Sequence, residues 1–212
     1  AKYPDNSSYQ TAISGFVQYI YTSYFQPQNR PLLANIIEVS DSAIWFNYLQ
    51  FLDGAMNEGW AVDWSTGYLS ENSWKNNLSL AEQTQSLGKF GIFVSQGNQT
   101  DTNRQNFAFA SYLLISNGRA AFRYTNSSSY NQAWLYPNYS LDIGEPLGAR
   151  YLLSGSVWKR DFTNGSVTVD PVKHTASITL ASEPTATATL HSISTLQPTN
   201  TPTPTATRTA TN

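Results

Sequence analysis

Four short apolar runs recur along the first part of the chain, each preceded by a stretch with helical spacing, and this alternation is what most constrains the fold. The runs are PLLANII (Pro31 to Ile37), FLDGAMNE (Phe51 to Glu58), KFGIFVS (Lys89 to Ser95) and RAAFRY (Arg119 to Tyr124). Cap residues Asn6 to Ser8 precede Ala12, Ile13, Phe16, Ile20 and Tyr24, which fall near helical spacing. Asp41 can cap a helix carrying Ile44, Trp45, Tyr48 and Leu49. Asn72 or Ser73 starts a third, with Trp74, Leu78 and Ala81, ending at Gly88. Thr100 to Thr102 open a fourth, FAFASYLLI, closed by Asn117-Gly118. Strands alternating with helices predict parallel strands joined by right-handed crossovers. A complete (β/α)8 barrel takes about 250 residues, so four repeats ending at Tyr124 predict half of one. A small open α/β sheet is the alternative.

Beyond the fourth run the pattern changes. SVWKRDF and SVTVDP flank Thr163-Asn164-Gly165, a hairpin signal. TASITL, Thr175 to Leu180, adds a third strand to a small antiparallel module. The chain therefore divides into a partial barrel over residues 1–150, a β module over 151–182 and a Thr/Pro-rich segment over 183–212. That last segment has almost no side chains able to build a core. It reads as a disordered linker or stalk leading to an anchor or a further module, or as a frayed terminus.

Composition narrows the chemistry. With 12% charged residues, a net charge of -2 and a pI of about 5.6, the chain lacks the basic stripe of a nucleic-acid binder. Six Trp and thirteen Tyr suit a surface that stacks on sugar rings, and also suit a core. There is no cysteine, and the two histidines, His174 and His191, lie in a late strand region and in the tail. Thiolate metal sites, a Ser-His-Asp triad and a histidine metal cluster are thereby excluded, and no metal or cofactor is expected. No apolar run reaches the roughly 20 residues that span a bilayer. Ala1 begins neither a signal peptide nor an initiator Met, so the true N-terminus is expected upstream.

In parallel β/α folds ligands bind beyond the C-terminal strand ends. Those ends carry Asn35, Asn57 with Glu58, Gln96, and Arg123 with Tyr124. Of these only Glu58 is a carboxyl. Period two places it on one face with Gly54 and Met56. Beside Trp60 and partly desolvated, its carboxyl would have a raised pKa suited to protonating a glycosidic oxygen. The bland alternative is a salt bridge to Arg123. Trp60 reads as a sugar platform or as core, and Asn35, Gln96 and Tyr124 as partners of substrate hydroxyls or of loop backbone. Asp53 reads as structural. Glycoside hydrolysis normally needs two carboxylates, and Asp63 and Glu145 are fallback partners for Glu58.

The motifs LLANI, DGAMNE, GKFGIFVSQG, FAFASYLLI, YPNYSLDIGEPLG and VWKRDFTNGSVTVDP together resemble the C-terminal half of hypothetical glycosyl hydrolase family 15, related to the α-galactosidase-type barrels. The resemblance covers roughly Ala1 to Leu180. It implies an α/β fold formed by the C-terminal half, strands five to eight, of a (β/α)8 TIM barrel followed by a small antiparallel β module. DGAMNE then becomes strand six and Glu58 matches the acid/base position, with the nucleophile on a fourth strand outside this chain. The implied activity is hydrolysis of O-glycosidic bonds in an oligo- or polysaccharide, by a secreted or surface-attached enzyme, with this segment inactive alone. The competing expectations are a non-catalytic carbohydrate-binding or surface-display protein, and a small complete α/β domain with an interaction role.

Overall fold

The computed structural model describes residues 2–36, 42–65 and 67–181. The expected cap Asp41, the last residue of PLLANII and the Thr/Pro-rich tail lie outside them. One compact unit spans Ala1–Ala181.

Helix α1, Asn6–Ile20, starts one residue earlier than the cap reading, because Asp5 and Ser8 form a capping box. It runs on through a π-helical turn, Tyr21–Phe25, and a 3-10 turn, Gln26–Gln28. Strand β1, Leu33–Asn35, is followed by α2, Ser42–Leu49, and β2, Gly54–Asn57. Helix α3, Glu71–Ser86, is capped by Ser70, just before the expected Asn72 or Ser73, and Gly88 turns the chain out of it with a φ of 73°. Strand β3, Phe90–Gln96, leads to α4, Thr102–Ile115, capped by Asp101, and to β4, Ala120–Thr125. The four strands pair in parallel in the order β1-β2-β3-β4.

The second part contains a strand the sequence pattern did not reveal, β5, Tyr151–Ser154, exposed along its whole length. It pairs antiparallel with β6, Val157–Phe162, which pairs with β7, Gly165–Asp170, which pairs with β8, Thr175–Leu180. The expected hairpin at Thr163-Asn164 is present, with Phe162 opposite Gly165. Gly165 serves a different purpose from the one Asn-Gly suggested. It has no positive φ, and a Cβ there would strike the Thr179 carbonyl of β8. The glycine is needed for close approach of β8 rather than for the turn.

The expected barrel half is corrected. The structure has an open four-stranded parallel sheet alternating with helices and a separate four-stranded antiparallel sheet. Among the described residues nothing hydrogen-bonds to the outer edges of β1 or β4 as a strand, and the remaining strands pair only with one another. Barrel closure requires a continuous ring of paired, tilted strands, and that ring is not evident, so the fold class is α/β with two sheets. Numbering the strands five to eight loses its basis with it.

Helices α3 and α4 lie between the sheets. One core joins Trp74, Leu78 and Ala81 of α3, Phe107, Ala108, Ala110 and Leu114 of α4, Phe93 and Tyr124 of the parallel sheet, and Phe162, Val167 and Val169 of the antiparallel one. This explains why FAFASYLLI is apolar on nearly every side: a helix buried on two faces needs no polar stripe. Arg160 of β6 ties the layers together, donating from Nη1 to the Leu113 and Ser116 carbonyls at the end of α4. A second cluster packs α2 and α3 against β2 through Trp45, Leu49, Leu52, Leu80 and Ala55.

All of this packing falls on one face of the parallel sheet. From the register, Leu33, Gly54, Met56, Phe90, Ile92, Val94, Ala121 and Arg123 share the other face. None of their apolar members belongs to either core cluster; Leu33 is exposed and Val94 buried.

Candidate functional site

Glu58 follows β2 directly, on the uncovered face and at the C-terminal ends of the strands. It is half-buried. Asn35, at the end of β1, donates from Nδ2 to Glu58 Oε1 at 3.1 Å. Gln96, at the end of β3 and 4% exposed, donates from Nε2 to the Tyr130 hydroxyl at 2.8 Å. The Tyr130 phenol lies against Glu58 and is pushed above its ordinary pKa, first by burial and then by the Glu58 carboxylate, against the opposing pull of Gln96 and Arg123. Tyr130 therefore keeps its proton across neutral pH, with its phenol beside Glu58. Arg123 fixes it there: its Nη2 donates to the Tyr130 and Gln132 carbonyls at 2.6 and 3.0 Å, with the guanidinium over the Tyr130 ring. Strand ends β1 and β2 thus meet at one carboxylate, and β3 and β4 hold the Tyr130 phenol beside it. The alternative ion pair between Glu58 and Arg123 is not formed among the described residues.

The other expected site residues separate. Trp60 is fully buried, its Nε1 donating to the Ala108 carbonyl and its ring tilted on Phe93 at 4.5 Å between centroids, so it belongs to the core and cannot receive a ligand. Tyr124 is 1% exposed, facing α4; its hydroxyl has no hydrogen-bond partner among the described residues, and burial pushes its pKa up. Both readings as ligand contacts give way to packing. The reason is the same at both positions, a side chain on the helix-covered face. Asn57 is likewise inward, bonding Asn77 and the Gly59 amide. Asp53 is structural: its carboxylate accepts from the Leu32 amide at 2.8 Å and holds the start of β1 beside β2.

The fallback carboxylates do not join the cluster. Burial alone would raise the pKa of Asp63, but bonds from Ser65 and Gly67 and the Arg104 charge outweigh it and hold the carboxyl below its ordinary range. Its Oδ1 accepts from Ser65 N, Ser65 Oγ and Gly67 N, so it shapes its own loop. Glu145 lies beside the β6–β7 hairpin, its backbone amide on Thr163 Oγ1. Among the described residues no group of three or more His, Asp or Glu side chains gathers to hold a metal ion.

Two residues at this end of the sheet carry no mark in the periodic pattern: Tyr130 and Trp64. Of the six tryptophans only Trp64 is exposed, at 48%. The signal for it lies in Asp63-Trp64-Ser65-Thr66-Gly67, where an Asp followed by Ser and Gly makes a side-chain-closed turn that leaves the second residue outside. Ala61, with φ of 61°, reverses the chain between the buried Trp60 and this loop.

No curated protein matches the chain. The model of hypothetical glycosyl hydrolase family 15 matches residues 2–166, which include Asn35, Glu58, Gln96 and Tyr130, and the chain belongs to that family.

Proposed function

We propose that the chain contributes the proton-donating half of a glycoside-cleaving site, with Glu58 as general acid and then base. The observation that carries the reading is a half-buried carboxyl at the strand ends, bonded by Asn35 and flanked by the Tyr130 phenol that Gln96 and Arg123 hold in place. A protonated Glu58 gives its proton to the glycosidic oxygen as the bond from that oxygen to the sugar carbon breaks. The released hydroxyl leaves, and the carboxylate that remains is held by Asn35 Nδ2 and the neutral Tyr130 hydroxyl. Water then delivers its oxygen to the sugar carbon and its proton to Glu58. A second carboxylate, about 5–9.5 Å from the first by the general geometry of such reactions, is required from outside the Glu58 cluster described above. The substrate on this reading is a carbohydrate, and the Thr/Pro-rich tail supports a protein that works outside the cell or at its surface.

The test is hydrolysis of a panel of aryl glycosides by the full-length protein and by E58Q. The variant is expected to lose about 10²- to 10⁴-fold in rate. Equal rates would remove Glu58 from the chemistry. Unchanged carbohydrate binding with no hydrolysis by either protein would favour a binding protein built on the same cluster.

A further inference from the structure

A second feature lies beside the Glu58 cluster and is built as firmly. The loop of residues 62–68 is closed by a bridge between Val62 and Tyr68 and by the three hydrogen bonds to Asp63 Oδ1. Beneath it sits Arg104 of α4, 2% exposed. Its Nε donates to the Gln96 carbonyl at 2.8 Å, its Nη2 to the Asp63 carbonyl at 2.7 Å and its Nη1 to the Gly67 carbonyl, and its guanidinium stacks over Tyr68. All three of its hydrogen bonds go to backbone carbonyls, and its charge also faces the Asp63 carboxylate at 3.8 Å, so its role is to hold the loop. What the loop holds out is Trp64.

Trp64 forms one wall of a cleft of about 260 Å³ whose other lining includes Gln96, Gly97, Asn98, Asn126 and Ser127. The Asn98 side-chain amide and the Asn126 amide nitrogen make no hydrogen bond among the described residues, so the cleft pairs one aromatic face with unspent amide groups. Its floor cannot be filled: a side chain at Gly97 would run into the Tyr124 hydroxyl and Arg104. The volume is below the roughly 300–1,000 Å³ of sites for drug-sized ligands, which suits a single ring. An indole face with convergent amides matches a sugar, whose axial C–H groups pack on the aromatic ring while its hydroxyls take the polar rim. The cleft is contiguous with the Glu58 cluster, because Gln96 lines the one and donates to Tyr130 in the other. A Cβ built on Gly59, next to Glu58, would lie 4.0 Å from Trp64 Nε1.

We infer that the Trp64 cleft is a separate sugar-ring subsite next to Glu58, so that the preferred ligand is an oligosaccharide spanning both. This rests on the carbohydrate reading of the site. Trp64 binds a ring there, and Arg104 and Asp63 are positioning residues that keep its indole fixed.

The experiment uses the full-length protein with hexasaccharides of glucose, mannose, galactose and xylose and the four monosaccharides. Affinity is measured calorimetrically and Trp64 exposure by acrylamide quenching. At least one hexasaccharide is expected to shield an indole that the monosaccharides leave quenchable. W64A should weaken that hexasaccharide about tenfold or more and W64F by about threefold or less, with unchanged thermal melts. Equal affinity in W64A, or no glycan in the panel shielding the indole, overturns the subsite. So does self-association on sedimentation that W64A abolishes, which would assign the indole to a protein contact. Loss of the Glu58 assignment has a different signature: E58Q hydrolyses like the parent while the W64A effect on binding persists.

Discussion

The two faces of the parallel sheet are made by the same four strands, alternate residues of each, and they have opposite surroundings. One face meets α2, α3 and α4 and builds its share of two cores, with Ala55, Phe93 and Tyr124 sealed from water. The other carries Leu33, Met56 and Ile92, which belong to neither core among the described residues, and ends in the polar cluster of Asn35, Glu58, Gln96 and Tyr130. All-parallel sheets are ordinarily covered on both sides. The difference teaches where to look for each property: stability is concentrated on one side of the strands, and the groups able to do chemistry on the other.

Substitutions can break that division if it is wrong. The largest effect is expected at Trp60, packed against Phe93 and hydrogen-bonded to α4. Trp60→Ala should cost about 3–5 kcal/mol in urea unfolding, and a cost below about 1 kcal/mol would contradict its place in the core. Arg104→Met comes next, at about 2–4 kcal/mol, since it strands three backbone carbonyls in a largely dry setting. Asp170 tests the antiparallel sheet. Burial works to raise its pKa, but bonds from Ser156, Lys173 and Val172 and the Lys173 charge outweigh it and keep it low. A carboxyl lowered in the folded state contributes stability above the ordinary carboxylate range and loses it as pH falls through the folded value. Asp170→Asn should therefore cost about 1–2 kcal/mol at neutral pH and flatten the acid limb of the stability curve. The smallest effect is expected on the uncovered face, where Leu33→Ser should change stability by no more than about 0.5 kcal/mol. A loss of 2 kcal/mol there would mean that this face is packed after all.

Much of the covered side was legible in the sequence because local chemistry determines it. Asn72 or Ser73 announce α3 within three residues of its cap Ser70, Thr100 to Thr102 enclose the cap Asp101 of α4, Gly88 ends α3, and the runs at β1 to β4 announce parallel strands. Closure into a barrel was not legible. Repeats of strand and helix look the same in an open sheet and a closed one, and the choice depends on what meets the edges of β1 and β4. Strand β5 escaped because it is exposed throughout and has no alternating face. The candidate cluster was half legible. The rule of strand ends points to Glu58, Asn35 and Gln96, which the structure brings to one end of the sheet, whereas Trp60 follows Glu58 closely in sequence and not in space. The chain reversal at Ala61 sends Trp60 inward and leaves Trp64 outside, a consequence of one backbone angle that periodicity does not encode.

The central claim is that Glu58 gives a proton to the leaving oxygen, and its most direct test is the dependence of rate on leaving group. Full-length protein and E58Q are compared on aryl glycosides from dinitrophenyl, which departs without protonation, to methoxyphenyl, which needs it. The account predicts a near-parent kcat/KM for E58Q on the dinitrophenyl glycoside and a deficit in kcat/KM growing to about 10²- to 10⁴-fold on the methoxyphenyl one. An equal deficit across the series, or none, would contradict it.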